Sequence, residues 1–257
     1  MSVSAFYGNT GKREATLAFL QELAATNAPH ELLLYSDEDS SWMYEDPAYI
    51  KRWLPAMLSL MKTGTRIKII HTISRDINEM FEALKNWMPL YSTGMIEPYY
   101  YPRIRDGVYR RTLFIARKHS AITSSSVEGK TEDMVNFLIR DNAAVKALTC
   151  EYENYFALCR PLMRIYTQKD ALAASLQKFT AQKNTPYFHH STNDVYIIVK
   201  ETQGAFVIYA TEHFSAFFFD EPRMIAAVLE YLTQISALRD KDFETFMKKL
   251  YEYLGAA

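Results

Sequence analysis

Apolar residues follow two alternating spacings along residues 1–160: short continuous runs, and recurrences every three or four positions. Runs typical of buried strands occur at Leu32–Tyr35, Ile67–His71, Ile96–Tyr101, Val108–Ala116, His119–Ser124 and Met134–Ile139. Helical spacing occurs at Thr10–Thr26, Asp46–Gly64, Asp76–Gly94 and Asp141–Cys159. Strands that alternate with helices predict an α/β fold, in which helices cover a sheet.

Local signals mark where one of these helices begins and ends. Asp46 is a suitable N-cap, and Pro47 follows it at the first helical position. Asp141 and Asp220 are the N-cap candidates of two later helices. Gly64 is typical of the residue after a helix. Pro55 and Pro89 fall late in their helices, where proline removes a backbone hydrogen bond, so we expect kinks or early ends there.

The pattern changes after Pro161. A helix is predicted at Asp170–Gln182, strands at Val195–Lys200, Ala205–Ala210 and Phe214–Phe219, and helices at Asp220–Ser236 and Asp240–Leu254. A β-meander with flanking helices indicates a smaller α+β unit, or an elaboration of the first. We therefore expect two domains, 1–160 and 161–257.

Composition excludes several functional classes. The net charge of −1 provides no overall basic balance for binding duplex DNA. No apolar run approaches the roughly 20 residues of a membrane span, and no signal peptide is visible at the N-terminus. Cys150 and Cys159 share a predicted helix and have no metal-ligand spacing, so they fit packing roles in a reducing, cytoplasmic setting. The adjacent His189 and His190 would face opposite sides of a strand, so no metal or cofactor site is indicated.

One segment carries a recognisable spacing. Tyr109–Val127 reads Y-R-R-T-L-F-I-A-R-K-H-S-A-I-T-S-S-S-V. It resembles the phospholipase D pattern H-x-K-x4-D-x6-G-S-x-x-N, with its spacing kept and most of its residues replaced. Tyr109 stands at the His, Arg111 at the Lys, Ala116 at the Asp, Thr123 at the Gly, Ser124 at the Ser, and Val127 at the Asn.

The resemblance covers residues 31–160 and implies a phospholipase D-like mixed sheet flanked by helices. In that family the His attacks phosphorus, and the Lys holds phosphate oxygens. A phenol with a pKa near 10 is a poor substitute for the nucleophile at neutral pH, whereas a guanidinium still binds oxyanions. We therefore predict a fold that was kept for binding after catalysis was lost.

Other stretches resemble the C-terminal regions of bacterial helix-turn-helix transcriptional regulators of the Cro/C1 type. They are L-L-L-Y-S-D-E-D-S-S-W-M, R-I-K-I-I-H-T-I-S-R-D, I-E-P-Y-Y-Y-P and R-R-T-L-F-I-A. The resemblance implies a sensing part without its DNA reader, which would reach DNA only through an attached helix-turn-helix segment.

Arg111 is the leading candidate for binding an anion, since its fork of donors fits oxyanions. The motif places Tyr109 on the same side, and we expect Ser124 and Ser125 to face the same region. The alternative for Arg111 is an ion pair inside the fold.

Further candidates follow predicted strands, because ligands gather at the carboxyl ends of strands in open α/β sheets. His71 and Arg75, at the end of the second predicted strand, are suited to binding a phosphate or a carboxylate. The alternative is that His71 makes hydrogen bonds that only support the fold. Asp37 lies in an acidic loop that suits a cationic or polyhydroxyl ligand, although a solvated loop is the commoner explanation.

Aromatic residues interleaved with arginine end the third of these strands, as in proteins that stack a nucleotide base. Tyr99, Tyr101 and Arg103 are the candidates. Because side chains alternate along a strand, Tyr99 and Tyr101 should share one face, and Tyr100 should take the other.

Three functions are compatible with these residues. The preferred one is a catalytically silent sensor domain that binds a small anionic or polar ligand and forms a homodimer. The second is a divergent phosphodiesterase or nuclease with His71 as its nucleophile. The third is a protein-interaction module that assembles through its aromatic-rich second unit.

Overall fold

The computed structural model describes residues 2–38, 41–72, 87, 90–103, 106–181, 187–192, 194–210, 214–234 and 242–256. Internal contacts divide the chain into two units. Unit 1 comprises Met1–Ile73 and Met95–Pro161, and unit 2 comprises Ser74–Gly94 and Leu162–Ala257. None of the described helices is both long and apolar enough to cross a bilayer.

Unit 1 is built on an eight-stranded mixed sheet with the order β1-β7-β6-β5-β2-β3-β4-β8. Its strands are β1 (Val3–Tyr7), β2 (Glu31–Ser36), β3 (Arg66–His71), β4 (Ile96–Tyr100), β5 (Tyr109–Ala116), β6 (Ser120–Val127), β7 (Val135–Ile139) and β8 (Arg160–Pro161). Strands β2, β3 and β4 run parallel, and the other pairs are antiparallel. The predicted mixed α/β class is thus confirmed.

Helices cover both faces of this sheet. Helices α1 (Gly8–Ala25), α2 (Ser41–Tyr44) and α3 (Pro47–Lys62) contact one another, and Lys12 of α1 reaches Thr112 of β5. Helix α4 (Asn142–Phe156) packs on the opposite face, where Val145 and Tyr152 join Leu113 in one apolar core. The faces are opposite because Thr112 and Leu113 are adjacent in a strand.

Two predicted helix starts in unit 1 are confirmed. Asp46 Oδ1 accepts hydrogen bonds from the N–H groups of Ala48 and Tyr49, at 2.9 and 3.2 Å. Asp141 Oδ1 caps α4 in the same way, accepting from Ala144 N–H at 2.9 Å. These bonds satisfy donors that the first turn of a helix leaves without partners.

Pro55 does not end its helix, because α3 continues to Lys62. Strand β1 was not predicted, and it leads directly into α1. Gly11 lets the two approach closely, since a Cβ on it would meet Phe6 C at 2.7 Å. The predicted helix at Asp76–Gly94, including Pro89, falls largely outside the described residues.

Unit 2 contains a five-stranded antiparallel sheet with the order β10-β11-β12-β13-β9. The strands are β9 (Arg164–Tyr166), β10 (Tyr187–Ser191), β11 (Val195–Lys200), β12 (Gly204–Tyr209) and β13 (Ser215–Phe219). The helices are α5 (Lys169–Thr180), α6 (Pro222–Gln234) and α7 (Phe243–Leu254). Helices α5 and α7 share one apolar core with the sheet, and α6 shares another.

Two sequence expectations change in this unit. Asp220 was predicted to cap the helix that begins at Pro222, but Glu221 Oε2 accepts from the N–H groups of Arg223 and Met224 instead, at 2.7 and 3.0 Å. A domain boundary was expected only near Pro161, whereas Ser74–Gly94 groups with unit 2 by internal contacts. The sequence contains no composition change at 74–94 that would have indicated this.

Candidate functional site

A cavity of about 420 Å³ opens in unit 1 on the face covered by α4. Its walls are aromatic and charged. The lining residues are Tyr35, Tyr101, Tyr152, Tyr155, Arg103, Arg111, Glu151, Leu113 and Leu158. Such a volume suits a small molecule. A small number of charged groups that point into a pocket with aromatic walls is typical of a site that orients its ligand.

The tyrosine rings of this cavity contact one another and are therefore held in place. The ring of Tyr155 lies 5.0 Å from that of Tyr35 and 5.4 Å from that of Tyr101, centroid to centroid. The Tyr152 hydroxyl donates to Lys68 O at 2.8 Å, and burial raises the pKa of Tyr152. Tyr152 is thereby kept protonated at neutral pH, and the tyrosine rings of the cavity are suited to stacking and hydrogen bonding.

Arg111 lines the cavity and is ion-paired with Glu151. Its Nη2 donates to Glu151 Oε2 at 2.9 Å, and its Nε lies 2.8 Å from Oε1. The second sequence alternative for Arg111, an ion pair, is therefore what the structure contains, although both side chains remain partly exposed. An incoming anion would compete with Glu151 for Arg111, whereas Arg103 lies exposed on the wall.

Asp37 lies beside the cavity and fixes the strand that carries Arg111. Its carboxylate accepts from the Tyr35 hydroxyl at 2.7 Å and from the backbone N–H of Arg111. Asp37 N–H donates in return to Arg111 O at 3.1 Å. Asp37, which was predicted to contact a ligand, is not among the lining residues, and it positions two residues of the cavity wall.

Of the three candidate residues at the end of β4, two line the cavity. Tyr101 and Arg103 line it, whereas the Tyr99 ring packs edge-on against Phe156 at 4.5 Å. The predicted alternation is confirmed, because Tyr99 and Tyr101 both contact α4 or the residues beside it, and Tyr100 is buried.

The motif residues separate. Ser124 lies directly opposite Thr112 in the β5–β6 pair, so it faces α1, on the other side of the sheet from Arg111. The expectation that Ser124 faces the same region as Arg111 is therefore wrong, because adjacent residues of one strand cannot share a face. Ser125 is opposite Arg111 but exposed, and neither it nor Tyr109, which is 71% exposed, lines the cavity.

His71 also lies on the side away from the cavity, since Ile70 beside it belongs to the core under α4. Burial lowers the pKa of His71 to about 4, so the imidazole is neutral at pH 7. Arg75, its predicted partner, lies outside the described residues. Across the described ranges, no group of three or more His, Cys, Asp or Glu side chains is arranged to hold a metal ion.

Sequence reasoning missed Glu151 and Tyr155 of the cavity. They are one helical turn apart on α4, so they lie on the same side of that helix. The available signal was the four-residue spacing of an acidic and an aromatic residue on a helix that Asp141 caps, which predicts that the two side chains share one face.

Three solved structures are similar to this chain at low identity. TrmBL2, described as an archaeal chromatin protein with a novel mode of DNA binding, matches at 14% identity and a TM-score of 0.43, over 63% of this chain and 54% of that chain. The match thus spans about half the length of TrmBL2. NucT from Helicobacter pylori matches at 13% identity and a TM-score of 0.42, over 62% of this chain and 98% of that chain.

Nuc from Salmonella typhimurium, a phospholipase D family member, matches at 15% identity and a TM-score of 0.43, over 62% of this chain and 97% of that chain. No protein-family model matches the sequence, and no curated protein matches it.

Proposed function

We propose that unit 1 is a non-catalytic binding domain for a small ligand with an anionic group, and that it serves as the sensing part of a transcriptional regulator. The observation that carries this proposal is the pair of guanidinium groups, Arg103 and Arg111, on the wall of a tyrosine-lined cavity. A guanidinium binds carboxylate or phosphate oxygens through paired hydrogen bonds, and tyrosine rings stack on planar groups.

The absence of catalysis in this proposal rests on the groups in the cavity wall. Among the described residues, the hydroxyl groups in its lining are all tyrosine phenols, and burial raises the pKa of Tyr152. His71, the alternative nucleophile, is on the other face of the sheet. A direct assay is hydrolysis of bis-p-nitrophenyl phosphate, with and without divalent metals. Turnover that disappears in His71→Ala would favour the phosphodiesterase alternative.

Binding is tested by thermal shift with mononucleotides and dicarboxylates, each beside its uncharged counterpart, the nucleoside or the diamide. We expect at least one anion to raise Tm and its counterpart to have no effect. Arg103→Ala and Arg111→Ala should each reduce the shift. Arg52→Ala, an exposed arginine of α3, is the control and should respond like the wild type. No shift with any anion, or a wild-type response from both cavity variants, would reject the proposal.

Assembly as a homodimer is part of the same proposal. It is supported by large apolar side chains exposed on the α4 side of the sheet, where Tyr109 lies opposite Val127 and the two are 71% and 46% exposed. Light scattering at rising concentration measures the mass directly. A monomer at every concentration would remove the dimer from the proposal without affecting the cavity.

A further inference from the structure

A second polar cluster lies in unit 1 on the face covered by α1, away from the tyrosine-lined cavity. Its centre is Lys12, whose side chain is fully buried. Lys12 Nζ donates to Thr112 Oγ1 at 2.7 Å and lies 4.8 Å from the centre of the Trp42 ring. An ammonium has three N–H donors, so two of them have no acceptor among the described residues.

Two contacts fix the surroundings of this ammonium. Thr112 Oγ1 also lies 2.9 Å from Ser36 Oγ, so the hydroxyl that accepts from Lys12 is itself held by β2. Arg13 Nη1 donates to Trp42 O at 2.7 Å, which ties α2 and its indole ring to α1. The position of Lys12 is thus set by three different elements.

A buried carboxylate complements Lys12 without touching it. Glu38 is 9% exposed, and neither of its carboxylate oxygens accepts a hydrogen bond within the described chain. Its charge acts on Lys12, yet the described residues contain no ion pair between the two within 4.0 Å. Opposite charges that are buried near each other normally pair directly, because each is costly to leave alone.

A row of buried polar side chains continues across the sheet from Thr112. Ser124 is directly opposite Thr112, and Asn136 is directly opposite Ser124. Ser124 Oγ and Asn136 Oδ1 have no hydrogen-bond partner in the described part of the chain, and both residues are almost fully buried. Side chains that face each other across strands are about 4.5–5.5 Å apart at Cβ, so the row adjoins Lys12.

Most buried polar groups in folded proteins have a protein or water partner, so this cluster calls for one. The partner must accept from Lys12 and donate to Glu38. A simple oxyanion pairs only with Lys12 and is repelled by Glu38. A simple cation pairs only with Glu38 and is repelled by Lys12. A molecule with both charges satisfies both groups.

We propose that this cluster binds a small zwitterion of the amino-acid type. The carboxylate lies against Lys12 and Ser124, and the ammonium lies against Glu38. Trp42 covers the ammonium of Lys12 and excludes water from that side. The site is independent of the tyrosine-lined cavity, since it uses the opposite face of the sheet and shares no side chain with it.

The test is isothermal titration calorimetry of the full chain with the twenty protein amino acids. For each one that binds, the matched carboxylic acid without the amino group and the matched amine without the carboxyl group are titrated next. We expect at least one amino acid to bind and both matched compounds to bind at least about tenfold more weakly, because each loses one charge-assisted contact.

Variants assign the binding to this cluster. Glu38→Gln and Lys12→Met should each weaken binding by at least about tenfold. Ser124→Ala serves as a second, milder change if Lys12→Met does not fold, as judged by circular dichroism. Arg103→Ala, in the tyrosine-lined cavity, should bind like the wild type. No binding by any amino acid, equal binding of a singly charged analogue, or a wild-type affinity in Glu38→Gln would overturn the proposal and leave ordered water as the partner.

Discussion

Asp37, at the end of β2, and Arg111, in β5, are joined by two hydrogen bonds. The Asp37 carboxylate accepts from Arg111 N–H, and Asp37 N–H donates to Arg111 O at 3.1 Å. The same carboxylate accepts from the Tyr35 hydroxyl at 2.7 Å. The loop after β2 is therefore an extension of the β2–β5 pairing, and it positions one arginine and one tyrosine of the cavity.

Asp37→Ala should lower the free energy of unfolding by about 1–3 kcal/mol, because it leaves a hydroxyl and a backbone N–H without their acceptor. Urea denaturation measures the change. Asp133→Ala, an exposed aspartate in the turn before β7, is the control and should stay within about 0.5 kcal/mol of the wild type. An equal loss in both variants would show that Asp37 has no special role.

Glu151→Gln should increase the stabilisation that inorganic phosphate gives to the protein, because it releases Arg111 from its ion pair. The cost to stability itself should stay below about 1 kcal/mol, since both side chains are partly exposed. The slope of Tm against phosphate concentration is the measurement. Glu153→Gln is the control. Glu153 lies on the same helix as Glu151 but outside the cavity lining, and it pairs with Arg117, so its substitution should leave the slope unchanged. Identical slopes in all three proteins would contradict the prediction.

Lys12 should make stability depend on pH in the alkaline range. Burial lowers the pKa of Lys12 to about 8, against the opposing charges of Glu38 and Asp37. The unfolded chain, with an ordinary pKa of 10.5, holds a proton between these values that the folded chain has released. Stability contributed by this group therefore rises from pH 8 to 10.5.

The expected gain relative to Lys12→Met is about 3 kcal/mol, since one pKa unit corresponds to about 1.4 kcal/mol. Denaturant titrations of both proteins from pH 7 to 10.5 give the difference, in which the titration of tyrosines cancels. A difference that does not vary with pH would show that Lys12 keeps an ordinary pKa in the fold.

His71 should make the stability of the protein depend on pH in the acid range. Burial lowers its pKa from 6.5 to about 4, so the unfolded chain takes up a proton first as the pH falls. The stability that comes from neutral His71 is present above pH 6.5 and is lost progressively down to about pH 4. His71→Gln should lack this loss. Imidazole shifts followed by nuclear magnetic resonance report the titration directly, and a midpoint near 6.5 for His71 would refute the prediction.

Gly204→Ala should destabilise unit 2 strongly. Gly204 has φ of +155°, and a Cβ on it would lie 2.5 Å from Phe218 Cε2 and 2.9 Å from Phe219 O. We expect the free energy of unfolding to fall by about 1–3 kcal/mol or more, because the added methyl group overpacks the core and the backbone conformation is strained for alanine. Gly107→Ala has a positive φ of +73° but open space around it, so it isolates the backbone cost alone. A smaller loss at Gly204 than at Gly107 would be inconsistent with this packing.

Local signals in the sequence predicted the parts of the fold that depend on neighbouring residues. Asp46 and Asp141 cap their helices as predicted, because a cap needs only a side chain and the backbone a few residues ahead. The hairpin of β5 and β6 follows from two apolar runs around a short turn. Glu221 was missed because two acidic residues, Asp220 and Glu221, precede Pro222. Which of them accepts the hydrogen bonds of the first helical turn depends on the path of the backbone, which the sequence does not show.

The candidate site was predicted less completely. Tyr101 and Arg103 were identified from aromatic and basic residues at a strand end, and Arg111 from the spacing of the motif; all three line one cavity. Glu151 was missed because its interaction with Arg111 joins two elements far apart in the sequence. Ser124 was assigned to the wrong face, although the alternation of side chains along β6 was available to correct it.

The sequence by itself determined most of the strands and helices, with β1 as an exception, since apolar spacing and capping residues act over a few positions of the chain. Only the tertiary structure decided which face of the sheet each polar side chain occupies and which partner it meets there. That choice depends on strand order and register, which place Lys12 against Thr112 and Arg111 against Glu151 across long stretches of chain. Contacts of this kind have no local signature, because the residues that make them become neighbours only when the sheet forms.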